Sequence, residues 1–377
     1  MTLTRAPATP VPFVDLRALH APLKEQVLAD IGDLIDSAAF TNGAAVAAFE
    51  DAYARFCGTA HCVGVASGLD ALRLGLRAAG LRPGDEVLVP ANTFVATLEA
   101  VSQAGGVPVP ADVTEADYNL DPDAAAAAAG PATRFLLPVH LYGQMADMGR
   151  LTALAARLDL VILEDACQAH GAERDGVRAG RGGRAAGFSF YPGKNLGAMG
   201  DAGALVTDDP RLAETVRALR EHGQRRKYVH ELEGYTARLD ALQARVLARK
   251  LPLLGGWNEQ RRAIARAYGE ALRGVGDLML PPVPAGSRPV WHLYPVRTAD
   301  PDALAAFLGA RGIGTGRHYP EPVHLSPAYR HLGYRRGAFP VSEALAAQLL
   351  SLPIFPGMTE AQIAAVAEAV ADFFDRP

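Results

Sequence analysis

Long apolar runs are missing from this 377-residue chain. No stretch of about 18 consecutive apolar residues occurs, so no membrane-spanning helix is expected. Cysteine is scarce. The three present, Cys57, Cys62 and Cys167, form no CxxC pair and leave one over. That argues against a disulfide framework and against a zinc or other metal site, and it fits a reducing, cytoplasmic setting. The start, Met1-Thr-Leu-Thr-Arg-Ala-Pro, lacks the apolar stretch of a secretion signal. Neither sign of charge dominates: the formal net charge is -4, which gives no reason to expect nucleic acid or an acidic membrane surface as partner. The basic cluster Arg217, Arg220, Arg225, Arg226 and Lys227 is diluted by Glu221, Glu231 and Glu233. It reads as a solvated face or a local phosphate contact.

What is present is enough apolar material for a large core, with 49% hydrophobic residues, in a chain long enough for two domains. From Cys62 to Thr207, short apolar runs alternate with amphipathic stretches. Seven strands are predicted, at Val63-Gly-Val-Ala, Glu86-Val-Leu-Val-Pro, Gly106-Val-Pro-Val, Phe135-Leu-Leu-Pro-Val, Leu160-Val-Ile-Leu, Gly187-Phe-Ser-Phe and Gly203-Ala-Leu-Val-Thr. Helices such as Leu69 to Ala79 and Met148 to Arg157 lie between most of them. That alternation predicts an α/β fold with a mostly parallel central sheet and helices on both faces. Six alanines after Asp121-Pro122 make a good helix start. Residues 211 to 250 read as helical, interrupted by a loop from Gly223 to Tyr235, and a long helix follows from Asn258 to Arg273. Beyond the break at Leu280-Pro-Pro-Val-Pro-Ala-Gly come a strand at His292 to Val296 and helices from Asp302 to Arg311 and Thr359 to Phe374. This predicts a large domain over 1–250 and a smaller α+β domain over 251–377.

One lysine stands out. Phe188-Ser-Phe-Tyr-Pro-Gly-Lys194-Asn-Leu-Gly sets an amine just past a short aromatic strand in a Gly- and Pro-rich turn, where it can form a Schiff base with an aldehyde cofactor. The upstream run Val161-Ile-Leu-Glu-Asp165 reads as a buried strand ending in a carboxylate. Such an acid can hold a pyridine nitrogen protonated, as pyridoxal 5'-phosphate requires to act as an electron sink. Ser67-Gly68-Leu69 joins a strand to a helix, where a glycine and the free N–H groups of a helix start suit a phosphate; taken alone, Ser67 is an ordinary helix cap. Phe94 could stack on the cofactor face, although an aromatic residue there is more often core. Gln168 can donate to a phenolic oxygen, and the Ser189 hydroxyl can reach the phosphate. The glycines from Gly197 to Gly203 have the wrong spacing for a dinucleotide fingerprint and read as the turn that fixes the lysine.

In this order the motifs resemble the pyridoxal-phosphate-dependent nucleotide-sugar aminotransferases, the DegT/StrS group, of the aspartate-aminotransferase-like fold (fold type I). The resemblance runs from Pro12-Phe-Val-Asp-Leu to Gln362. It rests on Ser67-Gly-Leu-Asp-Ala-Leu, Pro90-Ala-Asn-Thr-Phe, Glu164-Asp-Ala-Cys-Gln-Ala-His-Gly and Phe188 to Asp201. It continues through Gly234-Tyr-Thr-Ala-Arg-Leu-Asp, His318-Tyr-Pro-Glu-Pro-Val-His-Leu and Leu352-Pro-Ile-Phe-Pro-Gly-Met-Thr. It implies that Lys194 is the Schiff-base lysine, Asp165 the pyridine-nitrogen partner, Gln168 the phenolate neighbour and Ser189 a phosphate ligand. Gly68 and Leu69 would offer backbone amides to the phosphate. It also implies a homodimer with active sites shared across the interface, in which the loop from Gly234 to Asp240 completes the partner's phosphate site with an asparagine. Thr236 stands at that place here, with a shorter reach. Cys167, where many relatives have alanine, is expected to be a small packed residue and not a nucleophile.

The resemblance implies transfer of an amino group from L-glutamate to a nucleotide-linked keto-sugar. Tyr191 and the run Asn195 to Asp201 resemble the branch acting at C3 of dTDP-3-keto-6-deoxyhexoses. A UDP-linked 3-keto sugar, a 4-keto sugar or a keto-cyclitol remain open, as does a non-catalytic regulator, against which the retained lysine argues. His318, Tyr319 and His324 lie where the family places substrate-facing side chains, or else form a Pro-rich structural loop. Arg225, Arg226 and Lys227 are candidates for the diphosphate.

Overall fold

The computed structural model describes residues 10–376. A seven-stranded sheet organises it, built from β1 (His61–Val65), β2 (Glu86–Pro90), β3 (Val107–Ala111), β4 (Thr133–Leu136), β5 (Val161–Asp165), β6 (Ala185–Ser189) and β7 (Gly203–Thr207). The spatial order is β1-β7-β6-β5-β4-β2-β3. The pairs β2–β3, β2–β4, β4–β5 and β5–β6 are parallel, while β7 runs antiparallel to both β6 and β1. Successive strand residues alternate between two apolar cores: Leu88 and Ile162 enter one, Val87, Val89 and Leu163 the other. A sheet covered on both faces needs apolar residues at every position, which is why these strands read as continuous apolar runs. The mostly parallel α/β sheet predicted from the sequence, with helices on both faces, is the one found.

Several element bounds differ from the sequence reading by a few residues. β4 ends at Leu136 because Pro138 has no N–H to continue the ladder, whereas β5 runs on to Asp165. The alanine-rich segment is a helix at Pro122–Ala128, capped by the Asp121 carboxylate on the Asp123 N–H. Between the helices Pro210–Arg220 and Ala241–Lys250, the stretch read as a plain loop holds a small hairpin, Gln224–Arg226 against Val229–His230.

A third core gathers Ile264, Tyr268, Leu304, Val366 and the antiparallel pair β8 (Tyr294–Arg297) and β9 (Leu349–Leu352). The helix Leu254–Ala271 passes from one core to another: Leu254 packs under the large sheet, Ile264 and Tyr268 in this third core. The N-terminal segment departs from the division expected at residue 250. Val11 sits in the C-terminal core and exchanges backbone hydrogen bonds with Gly312 and Gly314, because its side chain finds apolar cover only there.

Candidate active site

The C-terminal ends of parallel strands leave a crevice where connecting loops diverge, and the candidate residues collect there. β5 delivers Asp165, β6 delivers Ser189 and the turn to Lys194, and β1 leads through Ala66 to the helix Gly68–Ala78. Around them lies a cavity of about 630 Å³ lined by Ser67, Gly68, Leu69, Phe94, Asp165, Gln168, Ser189, Tyr191, Lys194, His318 and Tyr319. A slightly larger groove, about 700 Å³, lies on the C-terminal region beside Arg262 and Arg266. It holds neither the lysine nor the strand-end acid, so size alone does not mark the site.

Backbone geometry sets Lys194. Its N–H donates to Tyr191 O at 2.8 Å, and the turn closes with Ala198 N on Phe190 O at 2.7 Å and Phe190 N on Ala202 O at 2.8 Å. A Cβ on Gly197 would lie 2.2 Å from Pro192 O, and one on Gly203 would lie 2.3 Å from the Ser67 carbonyl carbon. Glycine is therefore the one residue that lets this turn close. The Lys194 amine has no hydrogen-bond partner among the described residues. Burial lowers its pKa from the ordinary lysine value, against the opposing pull of Cys167 and Asp165.

Asp165 is buried and doubly held. Its Oδ1 accepts from Cys167 N at 3.2 Å and its Oδ2 from Thr97 Oγ1 at 2.8 Å. Thr97 in turn lies 2.8 Å from Thr93 Oγ1. A carboxylate oxygen only accepts, so the protons run from Thr93 to Thr97 to Asp165. Thr97 lines the cavity and escaped the sequence reading. Gln168 Oε1 accepts from Tyr142 N at 2.7 Å, which fixes the amide so that Nε2 donates to the Tyr319 hydroxyl at 3.2 Å.

The helix start is bare. Ser67 is its cap: Oγ accepts from Asp70 N at 3.0 Å and lies 3.1 Å from Asp70 Oδ2. The hydroxyl is thus engaged in capping, while the Gly68 and Leu69 N–H groups have no partner among the described residues. A Cβ on Gly68 would meet Cys167 Sγ and Ser189 Cβ, each at 2.7 Å. Burial raises the Cys167 thiol well above its usual pKa, so it packs as a protonated thiol. Ser189 Oγ accepts from Tyr191 N at 3.3 Å. Phe94 and Tyr191 are not core: they are 51% and 59% exposed, and Phe94 lies 5.4 Å from the Tyr319 ring.

His318 stacks on Phe13 at 5.5 Å, its Nδ1 lies 2.9 Å from Ser351 Oγ, and burial with the nearby Lys194 charge lowers its pKa to about 4. Two expected residues lie elsewhere. His324 is 1% exposed, pairs through Nε2 with Glu343 Oε1 at 3.1 Å and packs edge-on against Phe339 at 4.7 Å. It belongs to the Pro-rich structural loop, the blander of the two roles open to it, because Glu343 on the helix Pro340–Gln348 draws the ring inward. Thr236 is exposed and pairs with His222 Nε2 at 3.0 Å, outside the cavity of its own chain. Arg225 pairs with Glu231 at 3.0 Å on the exposed hairpin, and none of Arg225, Arg226 and Lys227 lines the cavity.

An amine without a partner, an acid fixed beyond it, and unpaired helix N–H groups over a glycine with no room for a side chain fit a phosphorylated pyridine aldehyde. Residues 22–371 match the DegT/DnrJ/EryC1/StrS aminotransferase family. The chain belongs to that family. This aminotransferase is 48% identical to a dTDP-3-amino-3,4,6-trideoxy-alpha-D-glucose transaminase of Streptomyces venezuelae, over 99% of this chain and 98% of the relative. It is 44% identical to a UDP-N-acetyl-3-dehydro-alpha-D-glucosamine 3-aminotransferase of Acidithiobacillus ferrooxidans, over 96% and 97%. The crystal structure of S. venezuelae DesV in complex with a ketimine intermediate superposes with a TM-score of 0.96 at 48% identity, covering 98% of this chain and 100% of that one. The fold is type I, and the cofactor of this aminotransferase is pyridoxal 5'-phosphate. No helix among the described residues is long and apolar enough to cross a membrane.

Proposed function

We propose that this aminotransferase moves an amino group from L-glutamate to C3 of a dTDP-linked 3-keto-6-deoxyhexose. The observation that carries this reading is the partnerless Lys194 amine in one cavity with the Thr97-held Asp165 carboxylate. When bound, pyridoxal 5'-phosphate supplies the electron sink for the charge left as a proton departs from a substrate carbon. Lys194 Nζ would take the proton from the amino-acid Cα and, in the reverse half-reaction, give a proton to the sugar carbon that receives the amine. Burial lowers its pKa, toward the neutral amine this work needs. Asp165 holds the pyridine nitrogen protonated, Gln168 donates toward the phenolic oxygen, and the Gly68 and Leu69 amides with Ser189 take the phosphate. Phe94 would cover the pyridine ring, and Tyr191, His318 and Tyr319 would meet the sugar.

Action at C3 is supported by Tyr191 and the run Asn195 to Asp201, and by the 3-amino chemistry named for both relatives. The Acidithiobacillus relative favours a second reading, a UDP-linked 3-keto sugar. A homodimer with shared sites is part of the proposal, supported by the exposed Thr236 lying outside its own chain's cavity and by the exposed Tyr228, Val229 and Leu232 of the hairpin loop. So is a cytoplasmic setting, which the three free cysteines suit. We also place the domain division near residue 250, just before the helix Leu254–Ala271.

Adding glutamate should bleach the visible absorbance of the bound cofactor, and a dTDP-3-keto sugar should restore it faster than its UDP counterpart. Absence of bleaching with cofactor present would remove the glutamate assignment. Restoration by the UDP sugar alone would select the second reading.

A further inference from the structure

His292 lines the cavity beside Lys194 and has no role in the reading above. Its protonation pattern is fixed by a chain of hydrogen bonds that begins at two backbone carbonyls. Asn258 Nδ2 donates to His170 O at 2.9 Å. A carbonyl oxygen only accepts, so the Asn258 amide is oriented and its Oδ1 is left as an acceptor. Asn195 Nδ2 donates to that Oδ1 at 2.9 Å and to Val290 O at 2.9 Å, which orients the second amide in the same way. Asn195 Oδ1 is therefore an acceptor, and the atom facing it, His292 Nδ1 at 3.2 Å, carries the proton. Burial, which pushes its pKa well below the usual histidine value, keeps the ring neutral. A neutral imidazole protonated at Nδ1 has a bare lone pair at Nε2. That nitrogen has no partner among the described residues.

A bare lone pair discriminates between the two substrate classes proposed above. It repels a carboxylate, so it offers the amino-acid donor nothing. It accepts from a hydroxyl, which a sugar ring supplies next to the carbon being aminated. Resting on that reading of the reaction, we propose that His292 is a specificity-determining residue of the sugar half-reaction, its Nε2 accepting a hydrogen bond from a sugar hydroxyl. Asn195, the residue next to Lys194, is its positioning residue: the segment that carries the reactive amine also sets the tautomer that reads the sugar.

The test uses the cofactor-loaded enzyme and three variants. His292→Phe keeps a ring and removes the lone pair, His292→Gln returns an acceptor, and Asn195→Ala releases the tautomer. Calorimetric affinity of His292→Phe for the dTDP-3-amino sugar should fall about tenfold, the scale of one lost hydrogen bond to a neutral group. Affinity for dTDP, which has no sugar ring, should stay unchanged, as should the rate at which glutamate bleaches the cofactor. His292→Gln should recover part of the loss, and Asn195→Ala should show a smaller loss of the same kind. Equal affinity of wild type and His292→Phe for the amino-sugar nucleotide would overturn the role of His292 and leave the proposed reaction standing. Equal slowing of both half-reactions would make His292 a partner of Lys194 and overturn it too. Failure of the wild type to bind either the dTDP or the UDP amino sugar would instead sink the reaction on which it rests.

Discussion

The two walls of the cavity are built by different means. On the sheet side, Asp165, Ser189 and the Lys194 turn hang from strand ends, and backbone amides or carbonyls fix most of them: Cys167 N on Asp165, Tyr191 O on Lys194, Tyr142 N on Gln168. On the opposite side, His292, His318 and Tyr319 come from irregular segments, and the contacts that place them are side chain to side chain, with Asn195, Ser351 and Gln168. A wall fixed by backbone suits a ligand that never changes. A wall fixed by side chains can be altered one residue at a time, which suits the part of a site that selects the substrate.

The largest test of this contrast is Lys194→Ala. If the sheet wall does the proton transfer, the glutamate half-reaction should fall by about 10⁴-fold or more, the upper range for a positioned acid or base; stopped-flow bleaching would measure it, and a near-normal rate would break the comparison. Asp165→Asn should follow, with a loss of about 10²–10³-fold in both half-reactions, the range seen when one preorganised electrostatic partner is removed. A variant impaired with only one of the two substrates would move Asp165 out of the common wall. Gly68→Ala forces a Cβ to within 2.7 Å of Cys167 Sγ and Ser189 Cβ. Overpacking of this kind should cost about 1–3 kcal/mol in denaturant unfolding, and the cofactor should be lost faster on dialysis.

Tyr319→Phe sharpens the other side. It deletes one hydrogen bond to Gln168, worth about 0.5–1.5 kcal/mol, so the KM for the sugar nucleotide should rise several-fold while the glutamate rate barely moves. The smallest effect is on stability against pH. Burial lowers His170 to about 3 and His318 to about 4. Between those values and the ordinary histidine range the unfolded chain binds more protons than the folded one. The stability these neutral rings contribute is therefore complete above about pH 6.5 and is lost as pH falls through 4 toward 3. A thermal melt of His318→Gln should show a shallower decline below pH 6 than the wild type; identical profiles would remove His318 from that balance.

Much of the sheet wall was legible because its signals are local. An apolar run ending in an acid, a glycine before a helix and a lysine in a tight turn each lie within a few residues of chain. Thr97 and Tyr142 were not legible: each matters through a contact with a residue at least 26 positions away, and neither carries an unusual local pattern. Nothing around Lys250 separates it from a surface lysine, yet it is 2% exposed and its amine donates to the Gly197 carbonyl that follows Lys194. His324 failed for the converse reason. Its motif resembles a substrate-facing one, and only the distant Glu343 decides that the ring turns inward.

By itself the sequence determined the α/β sheet, the cofactor and that Asp165, Ser189 and Lys194 stand at or just past strand ends, because strand periodicity, turn chemistry and strand-end placement are properties of short segments. The tertiary structure decided which side chains share the cavity, that Val11 and Phe13 belong with the C-terminal region, and which nitrogen of His292 carries the proton. Those outcomes depend on hydrogen bonds and packing between segments up to some three hundred residues apart, and no local pattern encodes them.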